Sequence, residues 1–177
     1  MEKLSRKIIL VSGKQRSGKD TFAKVAATVG FKISPFALTI KKQVSEALKI
    51  SLEELEHLKN TTAQYRNLLI SWAEMRKTTD KAYFVREALK TDGNLVIPDF
   101  RFYEELDAVH KDTKNIIYTV RVNCPEEIRQ SRGKITNQTD RSELELDTFV
   151  ADFTIENTGT VEEFYLKCDE VLNKIGI

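Results

Sequence analysis

Gly13-Lys14-Gln15-Arg16-Ser17-Gly18-Lys19-Asp20-Thr21 has the G-x-x-x-x-G-K spacing of a phosphate-binding loop. It follows a short apolar run, Lys7 to Ser12 (KIILVS), which reads as a buried parallel strand, and it opens a helical pattern from Lys19 to Ala27. Strand, glycine loop and helix in that order are the context the motif requires. Gly13 and Gly18 permit a backbone path and a close approach that side chains would obstruct. Successive N–H groups can then turn inward onto phosphate oxygens, with the helix N-terminus adding positive potential. Lys19 is expected to reach the β and γ phosphates of ATP. The loop departs from its usual form at Asp20, where Ser or Thr normally ligates magnesium. Asp20 could bind Mg2+ directly or through water, or orient the acceptor, and Thr21 could take over a phosphate contact.

Working outward, short β-like runs alternate with longer helical patterns, which predicts an α/β fold with a mainly parallel sheet. After the first strand come Phe31 to Ile33, Leu95 to Ile97, Ile116 to Val122 and Phe153 to Ile155, five strands in all. The helical patterns are Thr39 to Lys49, a helix opened by the capping pair Ser51 and Glu54, Ala63 to Lys77, Lys81 to Lys90, Tyr103 to Lys111, Pro125 to Ser131 and Val161 to Ile175. With 177 residues, no repeat and no linker tract, residues 1–177 are expected to form one domain. Residues 39–90 would be a helical insertion walling an acceptor pocket, and residues 125–147 a lid region.

Val96 to Arg101 (VIPDFR) is an apolar strand ending in an acid and then an arginine. In a parallel sheet the carboxyl ends of strands meet at the ligand crevice. Asp99 is therefore a candidate for magnesium or for a proton, and Arg101 for an acceptor phosphate; a surface Asp-Arg pair is the bland alternative. Arg121, on the Ile116 to Val122 strand, needs a partner, either a ligand phosphate or a carboxylate such as Asp99. Arg129 and Arg132, before Gly133 and the polar stretch 134–141, suit a lid that excludes water and sets guanidinium groups on the moving phosphoryl. They equally suit a solvated helix end. Asp140, Ser142 and Glu143 could be hinge or capping residues. Arg76 and Arg86 of the insertion are candidate substrate contacts, Arg86 because it follows Tyr83-Phe84. Asn157 could border the nucleotide base or close a turn.

Composition bounds the partners. Lys plus Arg number 28 against 27 Asp plus Glu, a formal net charge of +1, so nothing suggests a general nucleic-acid binder and any anion site is local. Cys124 and Cys168, with two histidines, match no zinc spacing and are expected to be free thiols in a reducing compartment. The N-terminal apolar run is too short for a signal peptide, and no stretch approaches a membrane span, so a cytoplasmic location is expected.

SGKQRSGKDT, with its Asp20, resembles the loops of phage-type deoxynucleoside monophosphate kinases and of animal-type phosphomevalonate kinases. VIPDFR and FTIENTGTVEEF (Phe153 to Phe164) resemble matching blocks in both. Arg66 through Trp72, Glu74, Arg76, Asp80, Phe84 and Arg86, and Arg121 through Arg129, Gln130, Arg132 and Gly133, are similar to the phosphomevalonate pattern. Ser142-Glu143 and Leu146-Asp147 occur in both groups, and Lys134 departs from the aromatic residue expected after the lid glycine. The resemblance implies a P-loop kinase with a nucleoside monophosphate kinase-like fold, transferring phosphoryl from MgATP to the phosphate of a small acceptor. A deoxynucleoside monophosphate leads, with phosphomevalonate as the alternative. Catalytic Lys19, Arg16, Asp20, Asp99, Arg129 and Arg132 would act with acceptor contacts from Arg101 and Arg121. A slow ATPase or nucleotide switch, and a nucleic-acid-stimulated ATPase, are the readings from other classes.

Overall fold

A computed structural model of the chain describes residues 5–111, 114–136 and 138–177. The first four residues of the basic N-terminal segment, and Asn137 of the polar stretch, lie outside the described residues. Strands β1 (Lys7–Ser12), β2 (Lys32–Ile33), β3 (Leu95–Ile97), β4 (Ile116–Asn123) and β5 (Phe153–Glu156) form one sheet in the order β2-β3-β1-β4-β5. Every pairing is parallel, as the run of short strands separated by helices predicted.

The central strand explains why both faces are covered. Ile8, Ile9, Leu10 and Val11 are all fully buried. Strand alternation sends Ile9 and Val11 to one face and Ile8 and Leu10 to the other. The first pair packs with Phe22, Ala26, Phe164 and Cys168, from α1 (Lys19–Thr28) and α9 (Val161–Lys174). The second packs with Phe36, Phe84, Ile97 and Phe100, on the side of the helical insertion. Each such aliphatic side chain stabilises the fold by about 1.5–3 kcal/mol, so β1 fixes the sheet and thereby the loop that leaves it. α9 opens on a reciprocal cap: Glu163 N donates to Thr160 Oγ1, and Thr160 N to Glu163 Oε2.

The insertion consists of α2 (Phe36–Leu48), α3 (Leu52–Thr61), α4 (Ala63–Thr79) and α5 (Tyr83–Leu89). Ser51 caps α3 through Glu54 N, as the sequence predicts. α2 begins three residues before the expected Thr39. Both carboxylate oxygens of Asp99, at the end of β3, accept its first amides, Phe36 N at 2.9 Å and Ala37 N at 2.8 Å. No local cap residue announces this start, because its acceptor lies across the fold. α4 contains no fully buried residue in its 17. α6 (Tyr103–His110), α7 (Glu126–Ser131) and a four-residue α8 (Arg141–Leu144) complete the chain; α8 is too short to show a period and was not expected. Among the described residues no helix is long and apolar enough to cross a membrane.

Candidate active site

The loop between β1 and α1 turns by means of three left-handed residues, Gly13 (φ 148°), Arg16 (φ 63°) and Gly18 (φ 116°). A Cβ on Gly13 would stand 2.4 Å from Val122 O, and one on Gly18 2.7 Å from Asn157 Nδ2, so neither glycine is replaceable. Lys19 is buried and donates from Nζ to Lys14 O at 2.8 Å, folding back over the loop. Ser17 Oγ is buried and without a hydrogen-bond partner among the described residues. A cradle closed by glycines, a buried lysine and an orphaned hydroxyl fit a polyphosphate. Beside it lies a cleft of about 500 Å³ lined by Gln15, Asp20, Thr21 and Arg132 and, on the α9 side, by Val161, Phe164 and Tyr165. Those three α9 residues form an apolar wall that the sequence reading did not identify.

A second cavity, of about 540 Å³, lies between the insertion and the end of β3. Its apolar walls come from Phe36 and Ile40 of α2, Leu69 and Ile70 of α4, Phe84 of α5 and Phe102. Charged residues line it too: Asp99, Arg101 and Glu105 from the β3 side, Glu74, Lys77 and Lys81 from the insertion, and Asp140 and Arg141 near α8. Lys77 Nζ lies 4.3 Å from the centre of the Phe102 ring and Arg141 Cζ 4.9 Å from it.

Glu143 joins the two cavities. Its Oε2 accepts the N–H of Gln15 at 2.9 Å, and its Oε1 accepts Nη1 of Arg101 at 2.6 Å. Asp147 binds Lys14 at 2.7 Å and Arg121 at 3.3 Å. Arg121 therefore finds a carboxylate partner, but it is Asp147 rather than Asp99. α8 and the turn after it thus set two acids among three cations at the mouth of the phosphate loop. Sequence named Glu143 only as a hinge or capping candidate and Asp147 only within a motif; their contacts to the loop span about 130 residues of chain and leave no local trace.

The lid arginines are directed at backbone. Arg129 is buried, donating Nε to Cys124 O at 3.1 Å and Nη1 to Gln15 O at 3.3 Å. Arg132 donates to Arg16 O at 3.0 Å, and Arg16 returns a bond to Arg132 O at 2.9 Å and another to Lys134 O at 3.0 Å. A Cβ on Gly133 would come within 2.8 Å of the Arg16 guanidinium, so glycine there allows the contact. These exchanges brace the phosphate loop from outside while Arg132 still borders the nucleotide-sized cleft. Asn157, just after β5, does the same, donating to Ser17 O at 2.7 Å.

Arg76 and Arg86 lie away from the second cavity's lining. Arg76 sits over the Tyr83 ring, 5.3 Å from its centre, and Arg86 forms an exposed pair with Asp80. Phe84 does line the cavity, and two residues along a helix is about 200° of rotation, which carries Arg86 to the other face. Asp99 borders the cavity with both oxygens already accepting α2 amides.

Electrostatics follow the burial. Burial lowers the Lys19 pKa to about 8, with the Arg101 charge adding to the fall and the Glu143 and Asp20 charges opposing it. Burial raises Asp99, against the pull of the two α2 amides and Arg101. It also raises Glu105 to about 8, against the backbone N–H groups of Arg101 and Phe102.

Comparison with known proteins adds a family. The phosphomevalonate kinase family model matches residues 11–115. A UPF0200/UPF0201 protein of Archaeoglobus fulgidus is 28% identical over 189 residues, which cover 97% of this chain and 57% of that protein. This chain therefore spans little more than half of that relative's length. A UPF0200 protein of Thermoplasma acidophilum is 28% identical over 185 residues, covering 94% of this chain and 96% of its own. Among solved structures, the fold is similar to dephospho-CoA kinase from Campylobacter jejuni (TM-score 0.54, 16% identity, 96% of this chain and 97% of that one). It is also similar to shikimate kinase from Bacteroides thetaiotaomicron (TM-score 0.56, 12% identity, 98% and 100%). At these identities the structural likeness speaks for the P-loop kinase fold alone.

Proposed function

The chain belongs to the phosphomevalonate kinase family, and from that premise we propose that it moves the γ-phosphoryl group of ATP onto the phosphate of a small phosphorylated acceptor, giving ADP and a diphosphate. The observation that carries this reading is the Glu143 bridge, which ties the phosphate loop at Gln15 to Arg101 in the second cavity. Two ligands, one in each cavity, would meet at that point. An acceptor phosphate oxygen then attacks the γ-phosphorus in line, the new P–O bond forms, and the bond to the β-bridging oxygen breaks. Lys19 and the loop amides hold the donor phosphates, Arg101 holds the acceptor phosphate, and Arg16, Arg129 and Arg132 keep the loop in shape. Little covalent chemistry falls to the protein, so positioning and charge neutralisation supply the rate.

Magnesium would neutralise charge between the β and γ phosphates. Asp20 is exposed on this cleft directly after Lys19, and would be the carboxylate to hold it. No group of three or more metal-ligating side chains occurs among the described residues, so phosphate oxygens and water would complete the shell.

The family match supports (R)-5-phosphomevalonate as the first acceptor to test. A deoxynucleoside monophosphate is the second reading, supported by the aromatic walls Phe36, Phe84 and Phe102 around two carboxyl groups, surroundings that suit a base with an exocyclic amino group. A coupled ADP-release assay with MgATP against phosphomevalonate and the four dNMPs, with products identified by mass spectrometry, separates them. ADP release independent of any acceptor would overturn the proposal in favour of a slow ATPase.

A further inference from the structure

Glu105 is an acid at the first turn of α6 that lines the acceptor cavity and that the transfer chemistry above does not use. Its carboxyl is held in one orientation by its own backbone surroundings. Oε2 accepts both Arg101 N, at 2.8 Å, and Phe102 N, at 3.1 Å. Among the described residues Oε1 has no hydrogen-bond partner. One oxygen is thus fixed in place and the other is left to whatever enters the cavity.

We propose that Glu105 determines which acceptor is used: its Oε1 hydrogen-bonds a neutral polar group, a hydroxyl or an amino group, carried on the otherwise apolar body of the phosphorylated acceptor. This rests on the acceptor cavity assigned above. Two observations support it. Apolar walls from Phe36, Ile40, Phe84 and Phe102 stand between the charged groups of the cavity and strip water from whatever enters beside the open oxygen of Glu105. In such surroundings an unmatched polar group on either side is costly, so the site rejects an analogue that lacks the group. Arg101, moreover, is gripped from both ends, its backbone N–H by Glu105 and its guanidinium by Glu143. The selecting carboxyl and the phosphate clamp are therefore one rigid unit, and an acceptor that satisfies the first is registered on the second.

The partner is neutral because of the charges around Glu105. From β3 and the following loop it faces Asp99 and Arg101; from α4, Glu74 and Lys77; from the turn before α5, Lys81; and near α8, Asp140 and Arg141. Burial, reinforced by the Asp99 charge, raises its pKa to about 8, so at neutral pH it carries a proton and can donate as well as accept. The cations Lys77 and Arg141, stacked on Phe102, already face carboxylates, Lys77 that of Glu74 and Arg141 those of Glu104 and Glu145.

The test compares the wild type with Glu105→Gln and Glu105→Ala, using matched acceptor pairs: (R)-5-phosphomevalonate with its 3-deoxy analogue, and dAMP with the purine deoxyribonucleotide lacking the 6-amino group. Steady-state kinetics are run beside calorimetric binding of the same acceptors in the presence of a non-hydrolysable ATP analogue. In one pair, Glu105→Ala should lower kcat/KM and affinity for the complete acceptor about 100-fold, with little further loss on the analogue and no change in the KM for ATP. Glu105→Gln should recover most of that loss. Equal losses on both members of each pair would show only a helix cap and overturn the proposal, as would Gln behaving like Ala, or no loss at all. Should the wild type transfer phosphoryl to no acceptor, the phosphotransfer reading fails, and the binding series still decides Glu105.

Discussion

Glu143 Oε2 lies 2.9 Å from the amide nitrogen of Gln15, so a carboxylate from the far end of the chain occupies a phosphate-loop donor. Its other oxygen holds Arg101. Charge-assisted hydrogen bonds of this kind contribute about 1.5–3 kcal/mol each. Glu143→Ala should therefore lower kcat/KM for the acceptor by about 10- to 100-fold. Glu143→Gln should fall between the two. Steady-state kinetics check this; an unchanged Glu143→Ala enzyme would reduce the bridge to a packing contact.

Lys19 supplies a pH prediction. Its folded pKa is about 8 against an ordinary 10.5, so between those values the unfolded chain binds more protons than the folded one. Stability should accordingly rise as pH climbs from about 8 toward 10.5, and Lys19→Met should remove that rise while abolishing transfer. ATP phosphates favour the charged lysine, so nucleotide binding above pH 8 should take up a proton. Calorimetry in buffers of different ionisation enthalpy reads the uptake, and thermal melts read the stability.

Arg101 and Arg86 part company in the structure. Arg101→Ala should raise the acceptor KM or lower kcat far more than it alters ATP binding. Because the Arg101 charge helps to depress Lys19, the variant should also move the proton uptake to higher pH. Arg86, exposed beside Asp80, should tolerate alanine within about twofold, the usual scale for a surface pair. A large acceptor defect in Arg86→Ala would restore it to the substrate contacts.

Asp99→Asn distinguishes a helix cap from a metal ligand. The amide group would turn a donor toward one of the two α2 amides and cost about 0.5–2 kcal/mol, the range for a lost N-cap. The melting temperature should drop and the acceptor KM rise, since Phe36 and Ile40 of α2 wall the acceptor cavity. The magnesium dependence should stay as in the wild type. A shift in that dependence without loss of stability would make Asp99 a metal ligand.

The parts read correctly from sequence are those whose causes are local. The phosphate loop, β1 and the Ser51 cap each depend on neighbours a few residues away, and the structure places them where the pattern predicts. The start of α2 escaped because its cap is Asp99, more than 60 residues downstream. Arg129 and Arg132 were recognisable as charges, but their acceptors, the carbonyls of Gln15 and Arg16, come together only through the fold. Arg86 stood out because it follows two aromatics, but helix rotation turns it away from the cavity that Phe84 lines. α8 is one turn long and has no period to read. Glu105 carried a detectable signal, an acid in the first turn of a helix just after VIPDFR, but nothing local reveals that it borders a cavity.

α4 bears on how such an enzyme changes over time. The helix turns Leu69 and Ile70 onto a cavity, has no fully buried residue, and touches the core cluster through Ala73. Substitutions at Leu69 and Ile70 should disturb the packing of the sheet little, so the lining of this cavity can drift or be redesigned while the scaffold stays folded. A mutational library confined to Leu69 and Ile70 would reshape this cavity at little cost in stability, whereas the same number of changes among the fully buried residues of β1 would cost far more.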